Sequence, residues 1–258
     1  MTVRKVMLRI VAVAALFYAC VGAFMFANQH SLVYYPQLTR TDRVDTDFGL
    51  RRGDVELRGW IINPGAPDPI LYFGGNAERI EANRGDFAAW FPGRSVYLLA
   101  YRGYGASEGE PGEGALAGDV LALYDFVASR HPGQRISVIG RSLGSGVASH
   151  VAAHRPVDRL ALVTPFDSLA AVAQGHYPWL PVGWLMKDRY DSARALAGYS
   201  GPVLVLRADR DAVVPAARTD ALIESLPRPP EVVGFPRADH NDIHLQPAYG
   251  QALSRFMR

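Results

Sequence analysis

The sequence predicts an α/β fold built on a mostly parallel β-sheet with helices on both faces. Short runs of β-branched and aliphatic residues alternate with helical segments from residue 70 to the C-terminus. Most residues of these runs are apolar, as expected for strands that are buried on both faces of a parallel sheet. The chain has 258 residues, 49% of them hydrophobic, which is enough for one sizeable core. We therefore expect one domain over residues 31–258, preceded by a membrane anchor over residues 1–30.

The individual elements follow from apolar periodicity and from the turn residues between the periodic segments. Residues 43–48 and 55–62 predict a β-hairpin around a turn at 49–54. The later elements are predicted as strands at 70–73, 95–100, 136–140, 160–163, 203–206 and 231–235, and as helices at 78–91, 115–130, 145–154, 215–226 and 247–257. This alternation is the pattern of a sheet covered on both sides.

Residues 166–196 interrupt the alternation after the sixth predicted strand. The segment is rich in proline and aromatic residues, with Tyr177, Trp179 and Trp184 at its centre. Ligands of open α/β sheets bind at the carboxyl ends of the strands, so we predict a short helical lid or an apolar acyl-binding wall. The alternative is a helical excursion whose aromatic side chains pack on the core.

The N-terminal segment predicts one transmembrane helix. Residues 6–27 are apolar apart from Arg9, and the next charged residue is Arg40. A run of this length matches the hydrocarbon core of a bilayer. Because Arg4, Lys5 and Arg9 precede the uncharged stretch 10–27, the positive-inside rule puts the N-terminus in the cytoplasm and the domain on the opposite side.

Two other interpretations compete with an uncleaved anchor. A cleaved signal peptide usually has an apolar stretch of only about 7–15 residues and a small-x-small site, which residues 22–28 match poorly. A lipoprotein site at Cys20 would follow residues 17–19, which are bulkier than such sites prefer. Just beyond the apolar run, Tyr34 and Tyr35 are typical either of a membrane interface or of ordinary packing on the domain.

Composition excludes several classes of function. The formal net charge is +2, which gives no reason to expect a nucleic-acid partner. Cys20 is the single cysteine of the sequence, which excludes an internal disulfide framework and a cysteine-based zinc cluster. Gly103 and Gly105 lack the later glycine and the helix context of a dinucleotide-binding fingerprint. We therefore predict neither a cofactor nor a bound metal.

The most informative motif is Gly140-Arg141-Ser142-Leu143-Gly144. A β-branched run precedes it and a helix rich in small residues follows it, so that Ser142 falls on a strand-to-helix turn. The G-x-S-x-G spacing in this context is typical of a nucleophile elbow, where glycines let the strand and the helix approach closely. The adjoining helix N-terminus favours developing negative charge. We predict Ser142 as a nucleophile.

A serine nucleophile needs a base, and the base needs a carboxylate that orients it. When the serine comes first in chain order, the acid follows a later strand and the histidine comes last. Asp209 and Asp211 both follow the predicted strand at 203–206. We predict Asp211 as the acid and Asp209 as a turn or capping residue. His240 is the predicted base, and His244, at the start of the final helix, is the alternative.

Acyl transfer also needs backbone N–H groups that bind the oxyanion. Leu143, directly after the nucleophile, is expected to supply one of them. The loop after the strand at 70–73 is expected to supply the other through Asn76, since Gly74 and Gly75 permit close backbone approach. A plain glycine turn that begins a helix is the alternative interpretation of this loop.

These motifs resemble those of α/β-hydrolases, in the branch of serine aminopeptidases, monoglyceride-lipase-like enzymes and membrane-anchored protein depalmitoylases. The resemblance runs from about residue 32 to the C-terminus and includes residues 32–36, 71–76, 101–109, 140–144, 168–192, 211–215 and 240–242. It implies the α/β-hydrolase fold and a triad of Ser142, Asp211 and His240. The chain departs from the family in having Gly74 where the family usually has the histidine of His-Gly-Asn, although Asn76 keeps its backbone donor.

The leading functional hypothesis is a membrane-anchored serine hydrolase that cleaves a carboxylic ester or thioester of an acylated or lipid-like small molecule. A serine aminopeptidase would need an acidic group that anchors the substrate amine, and no sequence feature assigns one. The remaining alternative is a catalytically silent binding protein on the same scaffold, against which the intact Ser-Asp-His set argues.

Overall fold

The computed structural model describes residues 3–258 and confirms an α/β architecture around one eight-stranded sheet. The strands are β1 (Phe48–Arg52), β2 (Val55–Ile62), β3 (Ile70–Phe73), β4 (Val96–Leu99), β5 (Ser137–Arg141), β6 (Leu160–Val163), β7 (Val203–Ala208) and β8 (Glu231–Phe235). Their order is β1-β2-β4-β3-β5-β6-β7-β8. β2 is antiparallel to β1 and β4, and all other neighbours are parallel.

Helices cover both faces of this sheet. In chain order the helices are α1 (Val3–Val33), α2 (Arg84–Trp90), α3 (Glu113–Arg130), α4 (Leu143–His154), α5 (Leu169–His176), α6 (Val182–Leu185), α7 (Ser192–Leu196), α8 (Ala216–Ser225) and α9 (Pro247–Phe256), and α1 precedes the part of the chain that forms the sheet. Every residue of β3, β4 and β6 is buried. Because successive side chains of a strand point to opposite faces, both faces are covered, as the apolar runs predict.

The predicted hairpin is present, but the prediction of its first strand at 43–48 is wrong. That strand is β1, and the turn is confined to Gly53 and Asp54. Gly53 has a φ of +64°, which lets the chain reverse within two residues. Phe48 begins the strand because its ring is buried against Tyr97.

The predicted insertion after β6 is helical and contains α5, α6 and α7. Ser168 and Asp191 form an isolated β-bridge that brings the two ends of the segment together. We call residues 168–191 the cap. The cap exposes three large aromatic side chains, since Trp184 is 92%, Trp179 54% and Tyr177 42% accessible. The interpretation in which the aromatic residues of the insertion are all buried for stability therefore fails for these three.

Helix α1 is long and apolar enough to cross a membrane, and none of its described residues is buried. The chain enters the domain directly after it. Tyr34 is buried, and its hydroxyl donates to Asp188 Oδ2 at 2.8 Å and lies 2.8 Å from the hydroxyl of Tyr190. Tyr34 therefore packs on the domain, whereas its neighbour Tyr35 is exposed.

Candidate active site

The turn between β5 and α4 holds Ser142 in a backbone conformation that few non-glycine residues adopt. Ser142 has φ 51° and ψ −119°, and such strain is characteristic of a nucleophile elbow. The turn is packed tightly, since a Cβ added at Gly144 would lie 2.0 Å from the carbonyl oxygen of Phe73. Only glycine fits at this position, and the half-buried Ser142 side chain lies at the carboxyl end of the sheet.

A chain of hydrogen bonds joins the three residues predicted as a triad. His240 Nε2 lies 2.8 Å from Ser142 Oγ, and His240 Nδ1 lies 2.7 Å from Asp211 Oδ2. Asp211 and His240 are buried. Oδ1, the other carboxylate oxygen of Asp211, accepts hydrogen bonds from the backbone N–H groups of Val213 and Val214 at 2.9 and 2.7 Å. Because an ionised carboxylate can only accept, Nδ1 carries the imidazole proton and Nε2 accepts from the serine hydroxyl.

The alternative acid and the alternative base lie elsewhere. The Asp209 side chain forms an ion pair with Arg207 and is exposed. His244 is exposed in a short 3-10 helix, Ile243–Leu245. The structure therefore brings Asp211 and His240 to Ser142, and it does not bring Asp209 or His244 there.

The loop after β3 borders the serine and leaves one predicted donor available. A Cβ added at Gly75 would lie 3.5 Å from the Cβ of Ser142, so the backbone of this loop is in close contact with the serine. The side chain of Asn76 is already engaged, since its Oδ1 accepts from Tyr104 and from the backbone of Tyr35 and its amide donates to the carbonyl of Val33. Asn76 can therefore offer its backbone N–H to a ligand rather than its side chain.

Leu143, the other predicted donor, directly follows the same serine in the chain. It is the first residue of α4, so its N–H has no acceptor within the helix. The helix N-terminus adds a partial positive charge at this point. The position thus suits an anion or a carbonyl oxygen that gains negative charge.

Comparisons with known proteins decide the family. A family model described as serine aminopeptidase, S33, matches residues 75–188. An uncharacterized protein of Mycobacterium tuberculosis is 34% identical over 92% of this chain and 89% of its own length. The alpha/beta hydrolase domain-containing protein WAV2 of Arabidopsis thaliana is 30% identical over 90% of both chains. The chain belongs to the α/β-hydrolase superfamily.

Two further similarities are more limited in coverage or identity. The lysophosphatidylserine lipase ABHD12 of Danio rerio is 34% identical over 48% of this chain and 37% of its own length. The solved structure of Est1E from Butyrivibrio proteoclasticus with ferulic acid bound has a TM-score of 0.66 and 16% identity, covering 82% of this chain and 98% of that one. At this identity the structural similarity concerns the fold.

This α/β-hydrolase has a structural reason for the glycine that replaces the usual family histidine. A Cβ at Gly74 would lie 2.3 Å from Cγ2 of Ile80, so a histidine would require Ile80 to move. The carbonyl oxygen of Gly74 accepts a hydrogen bond from the Tyr101 hydroxyl at 2.9 Å. The loop is therefore held by the residues around it without that histidine.

Glu78 is a site residue that the sequence interpretation missed. Its carboxylate accepts the backbone N–H of Gly75 at 2.6 Å, the hydroxyl of Tyr72 at 2.5 Å and the amide of Asn83 at 2.8 Å. Burial raises the pKa of Tyr72 well above its ordinary value, so this phenol remains a donor. With the N–H of Gly75 taken by Glu78, the next N–H along the loop is that of Asn76.

Arg141 connects this carboxylate to the histidine loop. Its Nη1 lies 3.4 Å from Glu78 Oε2, and its Nη2 donates to the carbonyl oxygen of His240 at 3.3 Å. Burial lowers the pKa of Arg141, but Glu78, Tyr72 and Tyr249 together raise this pKa by more than burial lowers it. Arg141 is the second residue of the elbow motif, yet nothing in the local sequence indicates its partners, which are distant in the chain.

Proposed function

We propose that this protein is a membrane-anchored serine hydrolase that cleaves a carboxylic ester or thioester through an acyl-enzyme on Ser142. The observation that carries the proposal is the continuous hydrogen-bond chain from Asp211 through His240 to Ser142. In that arrangement the acid orients the base, and the base activates an alcohol that is a weak nucleophile by itself.

In the acylation step Ser142 Oγ attacks the carbonyl carbon of the substrate while His240 Nε2 takes the hydroxyl proton. Asp211 stabilises the imidazolium that forms, and it remains ionised. The oxyanion is bound by the backbone N–H groups of Leu143 and Asn76. The tetrahedral intermediate then collapses, and His240 gives its proton to the departing alcohol or thiol.

Water then hydrolyses the acyl-enzyme with the help of the same catalytic groups. His240 Nε2 takes a proton from the water that attacks the acyl carbon of the acyl-enzyme. The second tetrahedral intermediate expels Ser142 Oγ, which recovers its proton from His240. The net reaction converts one ester or thioester and one water molecule into a carboxylic acid and an alcohol or thiol.

An acylated, lipid-like substrate is favoured by three observations. Helix α1 is apolar and unburied, and the exposed cap residues Trp179 and Trp184 are of the type enriched at membrane interfaces. The similarity to a lysophosphatidylserine lipase is in keeping with a substrate that carries an acyl chain.

A substrate panel tests this proposal directly. We expect the purified full-length protein in detergent to hydrolyse nitrophenyl esters or acyl-thioesters, and to be labelled by a fluorophosphonate probe. Aminoacyl amides in the same panel test the aminopeptidase alternative. Turnover of the amides alone would overturn the ester assignment, and absence of labelling and of all turnover would indicate a binding protein.

We further propose that α1 spans the membrane without being cleaved. Residues 6–27 extend about 33 Å as a helix, close to the thickness of about 30 Å of the hydrocarbon core. Moving this apolar surface into water costs about 25 cal/mol per Å². We therefore expect salt and alkaline washes to leave the protein in the membrane and detergent to release it.

The variant Cys20→Ala is the control, since it removes the lipoprotein alternative. It is expected to remain in the membrane like the wild type. A soluble mature protein that begins after residue 22 would instead show signal cleavage.

We also propose that the domain faces away from the cytoplasm. Protease added to cells stripped of any outer barrier is then expected to digest the domain. Protection of the domain from that protease would place it in the cytoplasm.

A further inference from the structure

An apolar groove runs between the end of helix α1 and the cap. It encloses about 170 Å³ and is lined from the helix side by Met25, Phe26, Gln29, Leu32, Val33 and Tyr35 and from the cap side by Ala173, Tyr177, Leu180, Val182, Leu185 and Met186. Apart from the amide of Gln29 and the two tyrosine hydroxyls, its lining side chains are apolar. The helix residues from Met25 to Val33 span about 12 Å along the axis, so the groove is elongated.

Hydrogen bonds join the two walls of the groove to each other. The Gln29 side chain accepts from the backbone of Lys187 at 2.7 Å and donates to the carbonyl of Leu185 at 3.3 Å. Nearer the N-terminus, the Tyr18 hydroxyl donates to the carbonyl of Trp179 at 2.8 Å. The cap therefore packs along helix α1, and residues of both elements form the groove.

The inner end of the groove lies beside the candidate active site. Val33 and Tyr35, which line that end, hold the side chain of Asn76 through their backbone groups. Asn76 follows Gly75, whose backbone approaches the Cβ of Ser142. The lining of the groove is thus hydrogen-bonded to the loop that borders Ser142.

The outer end of the groove lies toward the segment of α1 that we assign to the bilayer. Met25 and Phe26 line that end and directly follow the exposed Phe24. On the cap, Trp179 contacts Tyr18 at a centroid distance of 6.4 Å, so the cap reaches residues well inside the apolar run. Hydrocarbon is the surrounding medium at this level of a membrane.

We infer that this groove binds the acyl chain of the substrate and that the chain enters it from the bilayer, between the anchor helix and the cap. The inference rests on the proposed hydrolase function and specifies its substrate as a membrane lipid or lipidated molecule with one long acyl chain next to the scissile ester. The anchor helix then does more than locate the enzyme, because it forms half of the acyl-binding site.

The test compares long-chain and short-chain substrates on the full-length protein in lipid vesicles. Ala173→Phe fills the groove from the cap, and Met25→Trp fills it from the helix. Each buried methylene group contributes about fourfold in affinity, so exclusion of only two groups lowers the ratio of kcat/KM for palmitoyl over acetyl nitrophenyl ester by about tenfold or more. We expect both variants to lower this ratio.

The matched controls are Ala171→Phe on the same cap helix and Phe24→Trp on α1, neither of which lines the groove. They are expected to keep the wild-type ratio. Both rates come from one preparation, so loss of folded protein lowers them together and leaves the ratio unchanged. If either groove variant kept the wild-type ratio, the groove would not be the acyl-binding site. A wild type that cleaves neither ester would instead contradict the proposed hydrolase function.

Discussion

Replacement of Ser142 by alanine is expected to abolish ester hydrolysis and labelling by a fluorophosphonate. The hydroxyl that lies 2.8 Å from His240 Nε2 is the group that would form the acyl-enzyme, and alanine has no nucleophile to replace it. Loss of a triad nucleophile costs on the order of 10⁶-fold in kcat. Turnover of a short-chain nitrophenyl ester and probe labelling, measured on the same preparation, check this result.

The matched control is Ser129→Ala, which removes an exposed hydroxyl from α3. We expect it to retain wild-type turnover and labelling. Circular dichroism and thermal unfolding of Ser142→Ala should match the wild type, because the elbow is held by backbone packing and by glycines rather than by the serine hydroxyl. Near wild-type turnover by folded Ser142→Ala would remove the serine from the mechanism.

Asp211→Asn is expected to lower kcat by about 10⁴-fold, as in other triads where the acid becomes an amide. The N–H groups of Val213 and Val214 occupy Oδ1, so the asparagine oxygen stays with them and its NH₂ group faces His240. The imidazole must then accept at Nδ1 and carry its proton on Nε2. In that tautomer it cannot take the proton of Ser142.

Asp209→Asn is the control for the same loop. Asp209 is exposed and pairs with Arg207, so its neutralisation is expected to leave kcat within a few-fold of the wild type. The two variants differ by the same chemical change two residues apart, and parallel kcat measurements compare them. If Asp209→Asn proved the more damaging variant, the acid would have to be reassigned.

Much of the fold follows from the sequence because its signals are local. Strands β3, β6 and β8 coincide with their predicted ranges, since each is a short run rich in aliphatic or aromatic residues and bounded by turn residues. The hairpin start was misplaced because a strand's first residue depends on a tertiary partner, here the ring packing of Phe48 on Tyr97. The helical insertion was predicted from its composition, but its docking on α1 was not.

The candidate active site likewise has one part that can be predicted from local sequence and one part that cannot. The elbow around Ser142 can be predicted because a strained turn imposes glycines at fixed spacing, and that constraint is written in five consecutive residues. The contacts of Glu78 and Arg141 could not be predicted, because each residue acts through partners that only the sheet brings near.

The sequence by itself determined the alternation of strands and helices, the strand-to-helix turn at Ser142 and an apolar N-terminal helix, because periodicity, turn chemistry and hydropathy are properties of neighbouring residues. Tertiary structure brings Asp211, which the sequence already favours over Asp209, into contact with His240. It also decided that Tyr34 is buried and that α1 and the cap enclose a groove. Those outcomes depend on contacts between side chains that are far apart in the chain. Such contacts cannot be predicted from a pattern of neighbouring residues.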